Sequence, residues 1–299
     1  MIRIGVDFGG TKIEAAALDE GGNFLARRRA ANPRVYAQAL RTVRELVDAV
    51  EREAGADRIE QIGIGAPGSI SPSTGVIRNA NSTWLNGRAL DRDLTAALDR
   101  AVRVANDANC LALSEAVDGA GQGKSVVFGL ILGTGVGGGL CIDGQLVEGR
   151  NGIAGEIGHA PLPWAGAGEH PGPACWCGRR GCVETWLSGG AFAREYGAGH
   201  TAELVAAKLR AGDPRARLVF DRYVERLGRL IALICDIVDP DVFVIGGGMS
   251  NIHELYDLLP AAALPHMFTD SAEITVRPAR HGDSSGVRGA AWLWPAEPE

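Results

Sequence analysis

Residues 2–12 read I-R-I-G-V-D-F-G-G-T-K, and residues 126–139 read V-V-F-G-L-I-L-G-T-G-V-G-G-G. Each stretch begins as an apolar strand and runs into a glycine-rich turn. The first predicts a strand over residues 2–7 that ends at Asp7, and the second a buried strand over 126–132. This repetition predicts an α/β protein with two related halves, each presenting a hairpin turn to the same ligand.

The first glycine turn has the composition of a phosphate-binding loop. Gly9 and Gly10 would expose backbone N–H groups to an anion, Thr11 adds a hydroxyl, and Asp7 puts a carboxylate where a phosphate-bound Mg²⁺ would lie. The spacing G-x-x-x-x-G-K-[ST] of a Walker loop is absent. A tight hairpin turn without a ligand would explain the glycines equally well.

Composition limits the class of partner. A chain of 299 residues with 46% apolar residues can form two domains with cores of their own. The net charge is −6 and the basic residues are scattered, which favours neither nucleic acid nor an anionic membrane. The chain enters a strand at once, with no secretory signal before it, and its apolar runs are too short to span a membrane. We therefore expect a cytoplasmic protein.

Residues 151–186 carry a candidate metal site. They include N-G-I-A-G-E-I-G-H and, further on, C-W-C-G-R-R-G-C-V-E-T-W. Cys175, Cys177 and Cys182 with His159 form a Cys3His set suited to structural Zn²⁺, with no open coordination position. The alternative is a disulfide with a spare thiol. The set is flanked by Glu156 and Glu184, which a metal-pinned loop would hold ready to bind several hydroxyl groups.

Polar groups also cluster at the ends of predicted strands. The turn Gly65–Ser69, which includes Gly68, closes a strand, and the amide-rich loop 79–87, which includes Asn81, could bind a polyol or be a plain surface turn. Asn106 and Asp107 follow a strand over 102–105, where Asp107 could act in chemistry or simply cap the next helix. Gly246–Gly248 precede a helix predicted from Ile252 and could approach a nucleotide.

The motifs G-E-I-G-H and C-x-C-G-x-x-G-C-V-E resemble the signature of the ROK family of bacterial sugar kinases and related repressors. The resemblance extends over nearly the whole chain. It implies a two-domain, actin-like ATPase (ribonuclease H-like) fold with an interdomain cleft. In that family the histidine and cysteines bind zinc, the glutamates and the histidine contact the sugar, the Asn-Asp pair binds the sugar through its asparagine, and the aspartate is the catalytic base.

The resemblance assigns a role to each candidate residue. The catalytic base is Asp107, and the sugar site consists of Gly68, Asn81, Asn106, Asp107, Glu156, His159 and Glu184. ATP and Mg²⁺ are assigned to Asp7 (through water), Gly9, Gly10, Thr11, Lys12, Gly133, Thr134, Gly135, Gly137, Gly247 and Gly248. Residues 1–117, completed by a terminal helix over 285–299, form the predicted small domain, and residues 118–284 form the large domain with the zinc motif.

The predicted activity is ATP-dependent phosphorylation of fructose at its 6-hydroxyl. The segments N-A-N-S-T-W-L-N-G and H-G-D-S-S-G-V-R-G-A-A-W-L-W resemble the manno(fructo)kinase group of this family. The alternatives are a glucokinase, mannokinase or N-acetylhexosamine kinase, a sugar-sensing repressor, and a zinc module without catalysis. Repressors carry a helix-turn-helix before D-x-G-G-T, whereas six residues precede Asp7 here. A homodimer is expected, and the long segment 161–174 could alter the sugar pocket.

Overall fold

The computed structural model describes residues 1–269 and 271–295. Two five-stranded mixed sheets form the centres of two lobes. Within the described residues, no helix is both long and apolar enough to cross a membrane.

The first lobe is built on a sheet with strand order β3-β2-β1-β4-β7. The helix α1 buries an apolar stripe that includes Val43, Val47 and Val50 against this sheet, as its periodicity predicts. The elements of this half are β1 (Arg3–Phe8), β2 (Lys12–Leu18), β3 (Phe24–Ala31), α1 (Tyr36–Ala54), β4 (Gln61–Gly65), β5 (Ser69–Ile70), β6 (Ile77–Arg78), α2 (Leu90–Leu98), β7 (Ala101–Ala105) and α3 (Asp107–Val117).

The second lobe repeats the same plan in the order β10-β9-β8-β11-β12. The elements that follow in the chain are β8 (Val126–Leu132), β9 (Val136–Ile142), β10 (Gln145–Leu146), α4 (Glu184–Leu187), α5 (Gly189–Tyr196), α6 (Ala202–Arg210), α7 (Pro214–Val238), β11 (Val242–Gly246), α8 (Glu254–Ala263), β12 (Val276–Pro278) and α9 (Ser285–Ala291). The last helix, α9, returns to pack on β1 and β4 of the first lobe.

The pairing of the strands confirms the predicted relation between the halves. In the first sheet β1 forms an antiparallel hairpin with β2, and in the second sheet β8 forms one with β9. On its other side β1 pairs in parallel with β4, as β8 does with β11. The fold is the two-lobed, actin-like ATPase fold expected of a sugar kinase.

Two helices, α3 and α9, pack between the sheets at very short distances. A Cβ on Gly63 of β4 would lie 1.7 Å from the carbonyl oxygen of Ala290, and one on Gly289 would lie 1.8 Å from that of Cys110. Likewise, a Cβ on Gly139 of β9 would lie 2.6 Å from the carbonyl oxygen of Ala108. Only glycine permits these approaches, so small residues set the spacing at the junction of the lobes.

Three elements have bounds that differ from those predicted. The second glycine turn is only Gly133–Gly135, because residues 136–139 continue the hairpin as β9. After Gly247 the chain forms a 3-10 turn over Gly248–Asn251, and α8 begins only at Glu254. The terminal helix ends at Ala291, after which the chain turns, and residues 296–299 lie outside the described residues.

Candidate active site

Glycine turns from both lobes supply the candidate phosphate-binding groups. The turn Gly9–Thr11 joins β1 to β2, and the turn Gly133–Gly135 joins β8 to β9. A Cβ on Gly247 would lie 3.1 Å from the backbone nitrogen of Gly133, so the glycines after β11 adjoin the second turn. Thr11 and Thr134 are both exposed. The turns thus present hydroxyls and backbone to solvent, as a phosphate site requires.

Three residues assigned to the nucleotide lie in regular structure. Gly137 is inside β9, where a Cβ would lie 3.0 Å from the Cβ of Ala108, so it packs on the first turn of α3 instead of belonging to the glycine turn. Lys12 is the first residue of β2, and Gly248 is the first residue of the 3-10 turn. The structure therefore contradicts a turn position for Gly137.

The carboxylate of Asp7 lies in an unusual electrostatic setting at the end of β1. Burial raises its pKa to about 6, the negative charges of Glu14 and Asp107 add to this, and the cation of Lys12 opposes it. A Cβ on Gly286 would lie 3.4 Å from Cγ of Asp7, so the start of α9 borders the carboxylate. A partly buried carboxylate beside a glycine turn is a suitable partner for a hydrated divalent cation.

Asn106 and Asp107 divide two tasks at the start of α3. The side chain of Asn106 caps the helix by accepting a hydrogen bond from the backbone N–H of Asn109. Asp107 is the first helical residue and accepts from the N–H of Ala108 at 2.9 Å. The N-cap of α3 is therefore Asn106, and the prediction that Asp107 could be the N-cap is wrong. Asp107 opens onto the cleft, while the protein on its other sides raises its pKa by burial.

Glu156 joins this group from the second lobe. Asn106 donates from Nδ2 to Oε1 of Glu156 at 3.4 Å. Burial raises the pKa of Glu156, a rise that His159 opposes and Asp107 supports. Gly155 and Gly158, which lie on either side of Glu156, pack closely against β9. A Cβ on Gly155 would lie 2.5 Å from the carbonyl oxygen of Gly138, and a Cβ on Gly158 would lie 2.0 Å from the carbonyl oxygen of Val136.

The amide-rich loop 79–87 uses one of its asparagines internally and leaves Asn81 exposed. Asn86 is used within the loop, since it donates to the carbonyl of Ala80 at 3.1 Å and accepts from its N–H at 2.9 Å. Asn81 is exposed and makes no side-chain hydrogen bond to the described part of the chain. Gly68 has φ +81° and packs under the loop, where a Cβ would lie 2.5 Å from the carbonyl of Arg78.

The four predicted metal ligands lie together. Ligand atoms of His159, Cys175, Cys177 and Cys182 are all within 4.8 Å of one another. Nδ1 of His159 lies 3.7 Å from Sγ of Cys175, and the Sγ atoms of Cys177 and Cys182 are 3.6 Å apart. The six cysteines are free thiols, so no disulfide competes for these sulfurs. The donor set fits tetrahedral Zn²⁺.

Glu184 connects the cysteine loop to the second glycine turn. Its Oε1 accepts a hydrogen bond from Nε1 of Trp176 at 2.6 Å, and its Oε2 accepts from the backbone N–H of Val136 at 3.1 Å. Sequence reasoning missed Trp176. The available signal was its position between two proposed ligands, which forces the intervening side chain away from the metal.

The long segment 161–174 is anchored on α7. Oε1 of Glu169 accepts from Arg226 at 2.7 Å and from Arg229 at 2.9 Å, and both arginines are buried. Arg229 also donates to the carbonyl oxygens of Pro163 at 3.0 Å and Trp164 at 2.8 Å. This segment therefore braces the cysteine loop from the side of α7.

The site thus combines the chemistry that transfer of a phosphoryl group requires. Exposed glycine turns can bind phosphates through backbone N–H groups, and Asp7 can hold a hydrated cation. Asp107 presents an exposed carboxylate able to accept a proton, and beside it Asn106 of the first lobe is hydrogen-bonded to Glu156 of the second. Such transfer depends mainly on positioning and charge stabilisation.

Comparison with known proteins gives matches along the whole chain. The model of the ROK family matches residues 3–297. An N-acetyl-D-glucosamine kinase from Pectobacterium carotovorum subsp. carotovorum (strain PC1) is 40% identical over 299 residues, which covers 97% of both proteins. The N-acetylgalactosamine kinase AgaK of Shewanella sp. (strain ANA-3) is 41% identical over 296 residues, covering 97% of this chain and 95% of that protein.

A solved structure agrees in fold over the same extent. The ROK hexokinase from Thermus thermophilus superposes with a TM-score of 0.86 at 32% sequence identity, and the match covers 98% of this chain and 97% of that one.

Proposed function

The chain belongs to the ROK family and is an ATP-dependent sugar kinase, and from that premise we propose that its substrate is an N-acetylhexosamine, phosphorylated at the 6-hydroxyl. The observation that carries the proposal is identity of about 40%, from end to end, to kinases of N-acetylglucosamine and N-acetylgalactosamine. The relatives reported above do not support the fructokinase assignment made from sequence. They favour the N-acetylhexosamine alternative instead.

Asp107 is the proposed general base. Its carboxylate opens onto the cleft, and Asn106 already caps the helix, so Asp107 is available to accept the proton of the attacking hydroxyl. A raised pKa makes it a stronger base than an ordinary carboxylate, although it must be ionised to act.

The remaining polar groups are proposed to hold the sugar. Asn106 and Glu156 are hydrogen-bonded across the lobes, and His159 lies close enough to oppose the rise in the pKa of Glu156. Glu184 is fixed by two donors, and Asn81 is exposed. Together they offer acceptors and donors to several hydroxyls, which fixes the reacting hydroxyl in line with the phosphate.

Two metal ions complete the proposal. The set His159, Cys175, Cys177 and Cys182 would hold Zn²⁺, which would fix the loop that bears Trp176 and Glu184. Asp7 would hold a hydrated Mg²⁺, which would neutralise phosphate charge. The turns at Gly9–Thr11 and Gly133–Gly135, together with Gly247, would bind the phosphates of ATP.

A substrate panel tests the proposal. ADP formation from ATP is measured with N-acetylglucosamine, N-acetylgalactosamine, N-acetylmannosamine, glucose, mannose and fructose, and the phosphorylated position is determined by NMR. We expect an N-acetylated hexose to give the highest kcat/KM and to be phosphorylated at O6. If fructose gave a tenfold higher kcat/KM than any N-acetylated hexose, the protein would be a fructokinase.

A further inference from the structure

Trp176 is a large aromatic residue that the fold leaves open to solvent at the cysteine loop. Its exposed fraction is 59%. The neighbours on either side, Cys175 and Cys177, both belong to the four-residue cluster, so two anchored sulfurs flank it. A single exposed apolar side chain is common on protein surfaces, so the contacts of Trp176 carry the argument and its exposure does not.

The side chain of Trp176 touches two of the residues proposed to bind the sugar. Its ring meets the imidazole of His159 edge to face, with ring centroids 4.9 Å apart. Its Nε1–H donates to Oε1 of Glu184 at 2.6 Å. A hydrogen bond to a charged acceptor is stronger than a neutral one, so this contact controls where the carboxylate points.

The second oxygen of Glu184 is held from the other side. Oε2 accepts from the backbone N–H of Val136, which begins β9 directly after the second glycine turn. The carboxylate is therefore fixed between a donor of the cysteine loop and a donor of the hairpin. A carboxylate accepts up to about four hydrogen bonds, so a sugar hydroxyl can still donate to it.

We propose that Trp176 is a positioning residue for sugar recognition, which holds Glu184 in the orientation that receives a hydroxyl of the N-acetylhexosamine. The inference rests on the proposed function, because it takes Glu184 to be a sugar ligand. A carboxylate already oriented loses less conformational entropy when the sugar binds, so the effect falls on affinity for the sugar and not on phosphoryl transfer.

A second exposed tryptophan provides the matched control. Trp164 has an exposed fraction of 52% and stacks on His266, with centroids 5.6 Å apart, in the segment anchored on α7. Both tryptophans lie near the cysteine loop in the sequence and pack against a histidine, but Glu184 is bonded to Trp176. Exposure alone would make the two equivalent.

The first experiment introduces Trp176→Phe and Trp164→Phe separately into the wild-type protein and assays both variants with the substrate panel. Phenylalanine keeps an aromatic ring and removes the Nε1–H. We expect Trp176→Phe to raise the KM for the sugar about tenfold, with kcat, the KM for ATP and the zinc content unchanged. Trp164→Phe should leave all four values as they are. An unchanged sugar KM in Trp176→Phe would overturn the inference, as would a loss of zinc.

A double-mutant cycle shows whether Trp176 acts through Glu184. In a Glu184→Ala background the acceptor is gone, so Trp176→Phe should change the sugar KM by less than about twofold. If the full tenfold effect persisted, Trp176 would act by another route and the inference would fall. The proposed function is tested separately by the wild type, because a wild-type protein inactive on every N-acetylated hexose would overturn both proposals.

Discussion

The side-chain oxygen of Asn106 lies 2.7 Å from the backbone nitrogen of Asn109 and caps α3, so the N-cap position belongs to Asn106 and not to the adjacent Asp107. Asn106 also reaches Glu156 of the second lobe at 3.4 Å. Asn106 therefore both caps the helix between the lobes and contacts the second lobe, and the next residue has an exposed side chain.

Replacing Asp107 with Asn should separate catalysis from stability. We expect kcat to fall by on the order of 10²–10⁴-fold, because Asn cannot accept the proton. The free energy of unfolding should not decrease, since Asn106 still caps α3 and a carboxylate whose pKa is raised by burial has been removed. Turnover and thermal unfolding are measured together, and turnover above about a tenth of wild type would exclude Asp107 as the base.

Asp7→Asn should stabilise the ligand-free protein at neutral pH. Burial raises the pKa of Asp7 from 3.8 to about 6, so between these values the folded protein binds more protons than the unfolded chain. The free energy of unfolding therefore falls as pH rises through this window, by on the order of 2–3 kcal/mol.

The Asn variant should show that gain at pH 7.5 and lose it near pH 4, while kcat/KM for ATP falls because the proposed Mg²⁺ partner is lost. Thermal unfolding without nucleotide across this pH range measures the effect. A variant less stable than wild type at pH 7.5 would contradict the burial argument.

Cys177→Ser should remove the metal. Elemental analysis of the wild type is expected to give about one zinc per chain, and the variant should contain much less, because a serine hydroxyl replaces a thiolate ligand. The sugar KM should rise in parallel, since the loop carries Trp176 and Glu184. Cys235→Ser is the control, because this cysteine is buried in α7 away from the cluster. A fully active, zinc-free wild type would refute the metal site.

Gly63→Ala should disrupt the junction of the lobes. The added Cβ would lie 1.7 Å from the carbonyl oxygen of Ala290, so α9 must move away from β4. We expect a loss of at least about 3 kcal/mol in the free energy of unfolding, measured by urea denaturation. Gly168→Ala is the matched control, since its Cβ would meet nothing within 4 Å. Similar stability of the two variants would show that α9 can shift at little cost.

Local patterns were sufficient to predict most elements and the overall class. Apolar side chains alternate along β1 around Val6, and α1 buries one apolar stripe, so the strand and the helix could be identified from residue spacing. The repeated strand-and-glycine-turn pattern predicted two related halves, which the matching strand orders confirm. The zinc set was also predicted from spacing, because its three cysteines lie within eight residues.

The tertiary structure decided which polar residues share the cleft. Asn106 and Glu156 are fifty residues apart, and their contact depends on how α3 and β9 pack through glycines such as Gly139. Gly137, predicted to lie in the turn, is part of β9. Asn106 is the N-cap of α3 because its backbone is extended where the helix begins. The bond from Trp176 to Glu184 joins residues on two elements, so no periodicity could reveal it. Sequence patterns report which face a residue occupies, whereas the pairing of side chains across elements depends on distances that only the folded chain sets.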